Sequence, residues 1–391
     1  MRILFYGGTF DPPHNGHIHA FAAAAKQLQP DKLLLIPAGI PPHKALSEGS
    51  AAAETRLELT KLAAVTVPGA EVSDMELQRD GLCYTAQTLR QLRETYPDAE
   101  FTMLIGTDML LTFEQWREFE WLLDNMELAV LSRYDGDDAD VTAQIAHLTK
   151  TYGARITRVE ASVLPLSSSE IREALCHRRG ADQLPEAVYA RIIRERLYGA
   201  KPDLAWLREK AHAMLKPKRV FHVLGCEETA VQLARRWGAD ESDAAEAAIL
   251  HDVTKKLSFS EHLELCKKYA IVNDNLENSN EKLLHAKTGA ALCRELFGVT
   301  DAVYDAIRWH TTGRAGMTLL EKIVYMADYM EPNRDFPGVE ALRKLAFEDL
   351  DEAMILGLAM SVEEVRGYGK IPHENTVSAL EQLLQKKETC N

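Results

Sequence analysis

Residues 7–17 read Gly-Gly-Thr-Phe-Asp-Pro-Pro-His-Asn-Gly-His, and they connect a short apolar run at 2–6 to an alanine-rich segment at 16–28. The apolar run stops at two glycines and predicts a buried strand, whereas the alanine-rich segment predicts a helix. Glycines let backbone amides approach a phosphate closely, and a helix start adds free N–H groups and a positive dipole end. The stretch therefore predicts a phosphate-binding turn between a strand and a helix.

The rest of the first half repeats this alternation of strands and helices. Further strand-like runs occupy 32–38, 101–105 and 128–132, with helical patterns between them. Strands separated by helices predict a doubly wound, parallel, Rossmann-like α/β sheet that binds ligands at the carboxyl ends of its strands.

The second half has helical periodicity instead, so we predict an all-α domain there. Its apolar residues recur at helical spacing over 204–215, 244–251, 260–269, 284–296 and 319–329. The segment Tyr-Gly-Ala-Lys-Pro at 198–202 is typical of a helix end and a linker. A chain of 391 residues is also longer than one core usually needs. We therefore predict two domains, 1–200 and 203–391.

Charge and cysteine usage limit the class of partner and the compartment. The net charge of −14 disfavours a nucleic-acid partner, although a local basic pocket can still bind small phosphorylated substrates. The six cysteines have no close spacing and suggest neither disulfides nor a zinc ribbon. Neither a signal peptide nor a bilayer-spanning apolar stretch is recognisable, so we expect a cytoplasmic protein that binds no membrane. The sequence leaves open whether it forms a homo-oligomer.

Two histidines give the first turn its chemistry. His14 and His17 are three residues apart, so near a helix start both imidazoles can face one point and donate hydrogen bonds to a transferring phosphoryl group. A lone Gly-Gly pair would be better explained as an ordinary turn with surface histidines. The whole eleven-residue string favours a nucleotide site.

This string resembles the nucleotidyltransferase signature that ends in His-x-Gly-His. Other matching stretches are Pro-Pro-His-Lys at 41–44, Tyr-Thr at 84–85, Gly-Thr-Asp at 106–108 and Ser-Ser-Ser-Glu-Ile-Arg at 167–172. In order and spacing, residues 1 to about 200 resemble bacterial nicotinate-nucleotide adenylyltransferases. The resemblance implies that nicotinate mononucleotide and ATP, accompanied by Mg²⁺, give nicotinate adenine dinucleotide and pyrophosphate. Whether the nicotinamide mononucleotide is also accepted stays open at this stage.

The resemblance also implies roles for particular residues. His14 and His17 would be catalytic, Ser168 and Arg172 would hold phosphates, and Lys44 would bind the mononucleotide phosphate. Gly106 and Asp108 would lie near the adenosine ribose, Trp116 would stack on the pyridine ring, and the backbone at Tyr84 and Thr85 would bind its carboxylate. The remaining nucleotide-binding residues would be Gly7, Gly8, Thr9, Phe10, His43 and Ile171. Each has a simpler alternative, such as core packing for Trp116 or helix capping for Asp108.

The second half carries a set of histidines and aspartates beside apolar helical patterns. The candidate metal ligands are His222, His251, Asp252, His285, His310 and Asp328. Imidazole and carboxylate together suit divalent transition metals, and two such ions can activate water against a phosphoanhydride. One buried histidine would be weak support, but six such residues are harder to dismiss. His212, His262 and His373 are left out because their surroundings suggest solvated faces or loops.

This second half, about 203–388, resembles the YqeK-like branch of the HD superfamily. The resemblance implies symmetrical hydrolysis of diadenosine tetraphosphate to two ADP at a two-metal site, with Asp252 catalytic and iron as the metal or manganese as an alternative. Lys255 and Arg334 would contact phosphates, unless they are ordinary surface charges. Two alternatives stay open: hydrolysis of another nucleotide, and a nucleotide-sensing module without catalysis.

Overall fold

The computed structural model describes residues 1–40, 49–131, 138–162 and 164–390. The chain divides into two compact units, Met1–Lys201 and Pro202–Asn391. The boundary falls within the linker-like segment at 198–202.

The first unit is built on a parallel sheet, which confirms the predicted α/β class. Within the described residues its strands are β1 Arg2–Gly8, β2 Lys32–Pro37, β3 Ala70–Val72, β4 Glu100–Gly106, β5 Glu127–Leu131 and β6 Ile156–Val159. They lie in the order β3-β2-β1-β4-β5-β6, and every neighbouring pair is parallel. The order reverses between β1 and β4, and doubly wound sheets bind their ligands in the crevice at such a point.

Helices cover both faces of this sheet. They are α1 Asn15–Leu28, α2 Ala53–Ala64, α3 Thr85–Thr95, α4 Thr107–Leu111, α5 Phe119–Asn125, α6 Asp138–Tyr152, α7 Ser168–Cys176 and α8 Glu186–Glu195. Along β1, Ile3 and Phe5 belong to one apolar cluster while Leu4 belongs to another. Because successive strand residues point to opposite faces, a strand that is buried on both sides shows an unbroken apolar run.

Two strands at the sheet edges were missed by the sequence analysis. β3 reads Ala-Glu-Val and β6 reads Ile-Thr-Arg-Val, so neither contains a long apolar run. Among the described strands each pairs with a single neighbour, and its polar residues are partly solvated. Tertiary pairing defines these strands, and the local pattern does not.

The second unit is helical throughout its described residues, which confirms the predicted all-α region. Its helices are α9 Leu204–Ala213, α10 Pro217–Trp237, α11 Glu241–Leu250, α12 Phe259–Lys268, α13 Glu281–Phe297, α14 Asp301–Trp309, α15 Leu319–Met330, α16 Val339–Glu348, α17 Leu350–Gly367 and α18 Glu374–Cys390. No helix in the described parts of the chain has the length and apolar character to cross a membrane.

Helix α11 forms the centre of this unit. Seven consecutive residues of it are buried, and it packs against α9, α10, α14 and α15. Six of these seven residues are apolar and the seventh, Glu246, is buried as well, so the helix lies inside the core. Its carboxyl end delivers His251 and Asp252, which are both fully buried, to the interior.

Candidate functional sites

A cavity of about 440 Å³ opens at the carboxyl ends of β1 and β4. Most of the residues predicted for the first site line this cavity. They come from the ends of β1 and β4, the turn after β1, the starts of α3, α4 and α7, and the segment after α4. The predicted residues on its wall are Gly7, Gly8, Thr9, Phe10, His14, His17, Tyr84, Thr85, Gly106, Asp108, Trp116, Ser168 and Arg172.

The two histidines form the first turn of α1. His14 is its N-cap, and the His14 Nδ1 accepts the backbone N–H of His17 at 3.4 Å. In return the His17 Nδ1 accepts the backbone N–H of His14 at 3.2 Å, and the two rings stack with centroids 3.6 Å apart. A neutral imidazole that accepts at Nδ1 carries its hydrogen at Nε2. Helix capping thus leaves each ring with an Nε2–H donor.

A buried arginine that the sequence analysis missed donates hydrogen bonds to the backbone of the turn and of a neighbouring loop. Arg56 is fully buried, and its guanidinium donates to the carbonyl oxygens of Thr9 at 2.8 Å, Ala38 at 2.7 Å and Gly39 at 3.1 Å. Because Arg56 lies on α2, far from the turn in sequence, no local pattern identifies it. It ties together the loops that follow β1 and β2.

Ser168 and Arg172, both on α7, donate hydrogen bonds to the backbone of the same turn. The Ser168 hydroxyl donates to the Pro12 carbonyl oxygen at 3.0 Å, and the Arg172 guanidinium donates to the Asp11 carbonyl oxygen at 2.6 Å. The Asp11 carboxylate in turn accepts the Tyr198 hydroxyl at 2.8 Å. These contacts fix the peptide backbone of the turn beside the cavity that both α7 residues line.

One described residue that was predicted for this site, Ile171, is not among those that line the cavity. Ile171 is fully buried, and its N–H is bonded to the Ser167 carbonyl oxygen within α7, so the structure places it in the core. Its side chain fixes α7 and does not face the cavity. His43 and Lys44 lie outside the described residues.

The aromatic wall of the cavity includes a cation that was not predicted. Trp116 is half-buried and stacks on Phe113 with ring centroids 4.8 Å apart, so it has both a core face and a cavity face. Arg117 lines the cavity as well, with its guanidinium 4.8 Å from the centre of the Tyr84 ring. The cavity therefore combines aromatic surface with positive charge.

In the second unit, three of the six predicted ligands meet as one group. His222 on α10 has its Nε2 3.3 Å from the Nε2 of His251 and 2.9 Å from Oδ1 of Asp328 on α15. The His251 Nε2 lies 3.8 Å from the same Asp328 oxygen. These three side chains point their ligand atoms at one location.

The other two histidines form a second group, and Asp252 lies between the groups. The Nε2 atoms of His285 and His310 are 3.0 Å apart. One Asp252 oxygen, Oδ1, lies 3.2 Å from the His285 Nε2, and the other, Oδ2, lies 3.4 Å from the His251 Nε2. A carboxylate with one oxygen toward each group has the arrangement needed to bridge two ions.

The hydrogen bonds behind these rings show that the site fits metal ions. The Nδ1 atoms of three rings lie 2.6–2.7 Å from main-chain oxygens, in the pairs His251–Ala248, His285–Lys282 and His310–Ile307. A ring that donates from Nδ1 presents a lone pair at Nε2, which is the form that binds metals. Buried lone pairs that face one another need a cation between them. Oδ1 of Asp252 is likewise buried without a hydrogen bond.

The pKa values of Asp252, Asp328, His285 and His310 are shifted toward the forms that bind metals, whereas the Asp252 carboxylate outweighs burial and raises the pKa of His251. Burial alone would raise the carboxyl pKa values, but the surrounding imidazoles and cations outweigh it and hold the pKa of Asp252 and of Asp328 well below the usual value. Burial and the neighbouring imidazoles hold the pKa of His310 well below its usual value. Ionised carboxylates and neutral imidazoles are the ligand forms that metals require.

Three cationic side chains surround the two groups. Lys255 has its Nζ 2.9 Å from the His285 Nε2, and burial lowers its pKa. Arg334 donates to Asp328 at 2.8 Å. Arg219, which the sequence analysis missed, donates to Asp252. Its position one turn before His222 on α10 is the signal that could have identified it.

Two histidines that were left out as solvated are in fact buried. His373 is 7% exposed and has its Nε2 3.2 Å from an Asp274 carboxylate oxygen. His262 is 2% exposed and has its Nδ1 2.9 Å from the Thr288 hydroxyl, one turn after His285 on α13. His373 does lie in a loop, just before α18, but neither residue is solvated, because both face inward from segments whose sequences are mostly polar.

We expect His262 to make the stability of the chain depend on pH. Burial, followed by repulsion from His285, lowers its pKa from 6.5 to about 4. Between these values the unfolded chain binds more protons, so the stabilisation is complete above pH 6.5 and is lost as the pH falls toward 4. We therefore expect the free energy of unfolding, measured with denaturant at several pH values between 7 and 4, to fall less steeply with decreasing pH in His262→Gln than in the wild type. The two slopes should differ by up to about 1.4 kcal/mol per pH unit. Parallel curves for the two proteins would contradict this expectation.

Family models match both units separately. Residues 5–174 match the cytidylyltransferase-like family, and residues 219–333 match the HD domain.

Individual relatives agree with this division. The chain is 46% identical over 153 residues to the "Bis(5'-nucleosyl)-tetraphosphatase, symmetrical" of Bacillus subtilis, a match that covers 38% of the chain and 82% of the relative. It is 36% identical over 199 residues to the "Probable nicotinate-nucleotide adenylyltransferase" of Exiguobacterium sibiricum, which covers 51% of the chain and 99% of the relative. A Mycoplasma genitalium "Probable nicotinate-nucleotide adenylyltransferase/Ap4A hydrolase" is 28% identical across 92% of the chain and 97% of its own length.

Proposed function

The chain belongs to the nicotinate-nucleotide adenylyltransferases through its first unit and to the symmetrical bis(5'-nucleosyl)-tetraphosphatases through its second, and from this membership we propose how each site works. It is a bifunctional enzyme. One activity joins nicotinate mononucleotide to the adenylyl group of ATP and releases pyrophosphate. The other hydrolyses diadenosine tetraphosphate to two ADP.

In the first unit we propose that the mononucleotide phosphate attacks the α-phosphorus of ATP in line, without a covalent enzyme intermediate. The Nε2–H groups of His14 and His17 donate to oxygens of the transferred group as charge develops there. This role is supported by the reciprocal capping, which directs both Nδ1 atoms to the backbone. Mg²⁺ accompanies the ATP phosphates.

The rest of the cavity holds the two substrates. Ser168 and Arg172, which line the cavity beside the turn, bind phosphate oxygens. Gly106 and Asp108 at the end of β4 bind the adenosine ribose, and Trp116 stacks on the pyridine ring. Tyr84 and Thr85 begin α3, whose free N–H groups suit the nicotinate carboxylate. Arg117 lies beside Tyr84 and adds positive charge to this end of the cavity. This charge favours nicotinate mononucleotide over nicotinamide mononucleotide.

In the second unit we propose that two divalent transition metals, iron or manganese, bind at His222, His251, Asp252, His285, His310 and Asp328. Such ions supply Lewis acidity and an activated water for cleavage of a phosphoanhydride. The chain itself contributes Lys255, Arg334 and Arg219, whose cationic groups bind phosphate oxygens in place of their present carboxylate and imidazole partners. The observation that carries this proposal is Asp252, which turns one oxygen toward each histidine group.

Removal of metal should separate the two activities. We expect purified full-length protein to contain about two transition-metal ions per chain, and chelation to abolish hydrolysis. Adenylyl transfer should return fully when only Mg²⁺ is added back, because Mg²⁺ in such reactions is held mainly by the phosphates of the nucleotide. The measurements are elemental analysis and chromatography of the nucleotide products.

The products decide between the proposal and its alternatives. ADP as the sole product establishes symmetrical cleavage, whereas AMP with ATP would show that the bond is chosen differently. A metal-loaded protein that binds but does not cleave dinucleoside polyphosphates would indicate a sensing module. A cytoplasmic location and the lack of a nucleic-acid partner are part of this proposal, and the net charge of −14 supports the second point.

A further inference from the structure

We propose that Glu331, seated in a notch made by Gly225, is a positioning residue that holds His222 in the orientation and tautomer needed for metal binding. The proposal rests on the proposed function of the second unit, and it assigns a role to residues outside the ligand set. Glu331 lies just after α15, and Gly225 lies three residues after His222 on α10.

The first observation is the contact between Glu331 and His222. The Glu331 carboxylate is 1% exposed, and its Oε1 lies 3.0 Å from the His222 Nδ1. The three other histidine ligands pair their Nδ1 atoms with main-chain oxygens of their own helices. Among these four rings, His222 is the one whose Nδ1 faces a carboxylate. An anionic acceptor fixes the tautomer more strongly than a carbonyl does.

The second observation is that Glu331 is itself held in place. Its other oxygen, Oε2, accepts the Asn333 backbone N–H at 2.7 Å and the Asn333 side-chain amide at 2.8 Å. The same Asn333 amide lies 3.2 Å from the Phe221 carbonyl oxygen on α10. Arg343 donates to the Glu331 carbonyl oxygen at 2.7 Å. The carboxylate is therefore fixed from both sides and cannot shift far.

The third observation is the glycine under this carboxylate. A Cβ added at Gly225 would lie 3.1 Å from the Asn333 side-chain nitrogen and closer still to Glu331 Oε2, well inside contact distance. Glycine inside a helix costs about 1 kcal/mol relative to alanine. The close approach of Glu331 explains why a glycine stands at position 225 in the middle of α10. The Glu331 side chain passes directly over this position to reach His222.

The chemistry of a glutamine substitution makes the inference testable. Asn333 presents two N–H donors to Oε2 of Glu331, so in Glu331→Gln the carbonyl oxygen of the new side chain would settle there and its NH₂ group would face His222. The ring would then have to accept at Nδ1 and carry its hydrogen at Nε2, where a metal ligand needs a lone pair. An isosteric change that preserves packing should thus disable the ligand.

The experiment measures Co²⁺ binding to metal-stripped full-length protein, by titration against a competing chelator and by the visible spectrum of the bound ion. We expect Glu331→Gln to weaken one of two Co²⁺ sites by about 10–100-fold, the usual effect of losing such a partner. Glu331→Ala and Gly225→Ala should weaken the same site. The thermal unfolding of the metal-free chain and its adenylyl transfer should change little in Glu331→Gln.

Glu321→Gln is the matched control. Glu321 is also 1% exposed and is paired with Arg314, but it contacts none of the proposed ligands, so both Co²⁺ sites should keep their affinity. Unchanged Co²⁺ affinity and spectrum in Glu331→Gln would overturn the positioning role. A wild-type chain that binds no Co²⁺ would instead overturn the proposed metal site, so the two failures are distinguishable.

Discussion

Replacing Asp252 by alanine is expected to remove both metal ions and to reduce hydrolysis of diadenosine tetraphosphate by about three or more orders of magnitude. Each Asp252 oxygen faces a different histidine group, so one substitution removes a ligand from both sites. Metal ions contribute several kcal/mol to such reactions, and each 1.36 kcal/mol is a factor of about ten in rate. Elemental analysis and a steady-state assay of the same preparation test the expectation.

Asp328→Ala provides the comparison that makes this result specific. Asp328 approaches the group formed by His222 and His251, at 2.9 Å and 3.8 Å, so its loss should remove one metal equivalent while the other stays. Adenylyl transfer by both variants should match the wild type, because the transferase cavity lies in the other unit. Full hydrolysis by Asp252→Ala would refute the bridging role.

The second large effect is expected at the transferase site, where His17→Ala should lower the turnover of adenylyl transfer by about 100-fold or more. Loss of one preorganised donor to a developing negative charge typically costs two to three orders of magnitude. The substitution also removes the acceptor for the His14 N–H, a loss of about 1 kcal/mol in helix capping that the fold should tolerate. The measurement is kcat with nicotinate mononucleotide and ATP at saturation.

Two further variants separate catalysis from capping. Asparagine at position 17 can still accept a backbone N–H but has no group in the place of Nε2–H, so His17→Asn should be as slow as His17→Ala. His147→Ala removes a half-exposed imidazole that pairs with Glu114 and lies off the cavity wall, and its turnover should be normal. A His17→Ala enzyme with near wild-type kcat would eliminate the proposed role of this histidine.

The contrast between the two sites shows what a sequence pattern can predict. The turn after β1 is a continuous string, so its glycines and histidines were assigned before the fold was known, and they line one cavity. Arg56, which joins this turn to the loop after β2 through the carbonyl oxygens of Thr9, Ala38 and Gly39, was missed because its partners are distant in the chain. Ile171 was predicted to belong to the site because it lies between Ser168 and Arg172 in the sequence, but on helix α7 its side chain points into the core.

In the second unit the candidate ligands were recognised one by one from the sequence, but their grouping in space was not. Nothing in the spacing of His222, His285 and Asp328 indicates which of them share an ion. The grouping follows from the packing of α10, α14 and α15 against α11 and of α13 against α14. The same packing buries His262 and His373, although their local sequences are polar.

The amino-acid sequence by itself determined the two structural classes, the turn proposed to bind phosphate and the six candidate ligand residues, because periodicity and short motifs are local properties of a chain. Only the tertiary structure decided the pairing of those ligands, the bridging position of Asp252 and the approach of Glu331 over Gly225. These relations join residues up to 109 positions apart, as His222 and Glu331 are, and side chains so distant meet only when burial of apolar helix faces fixes the backbone.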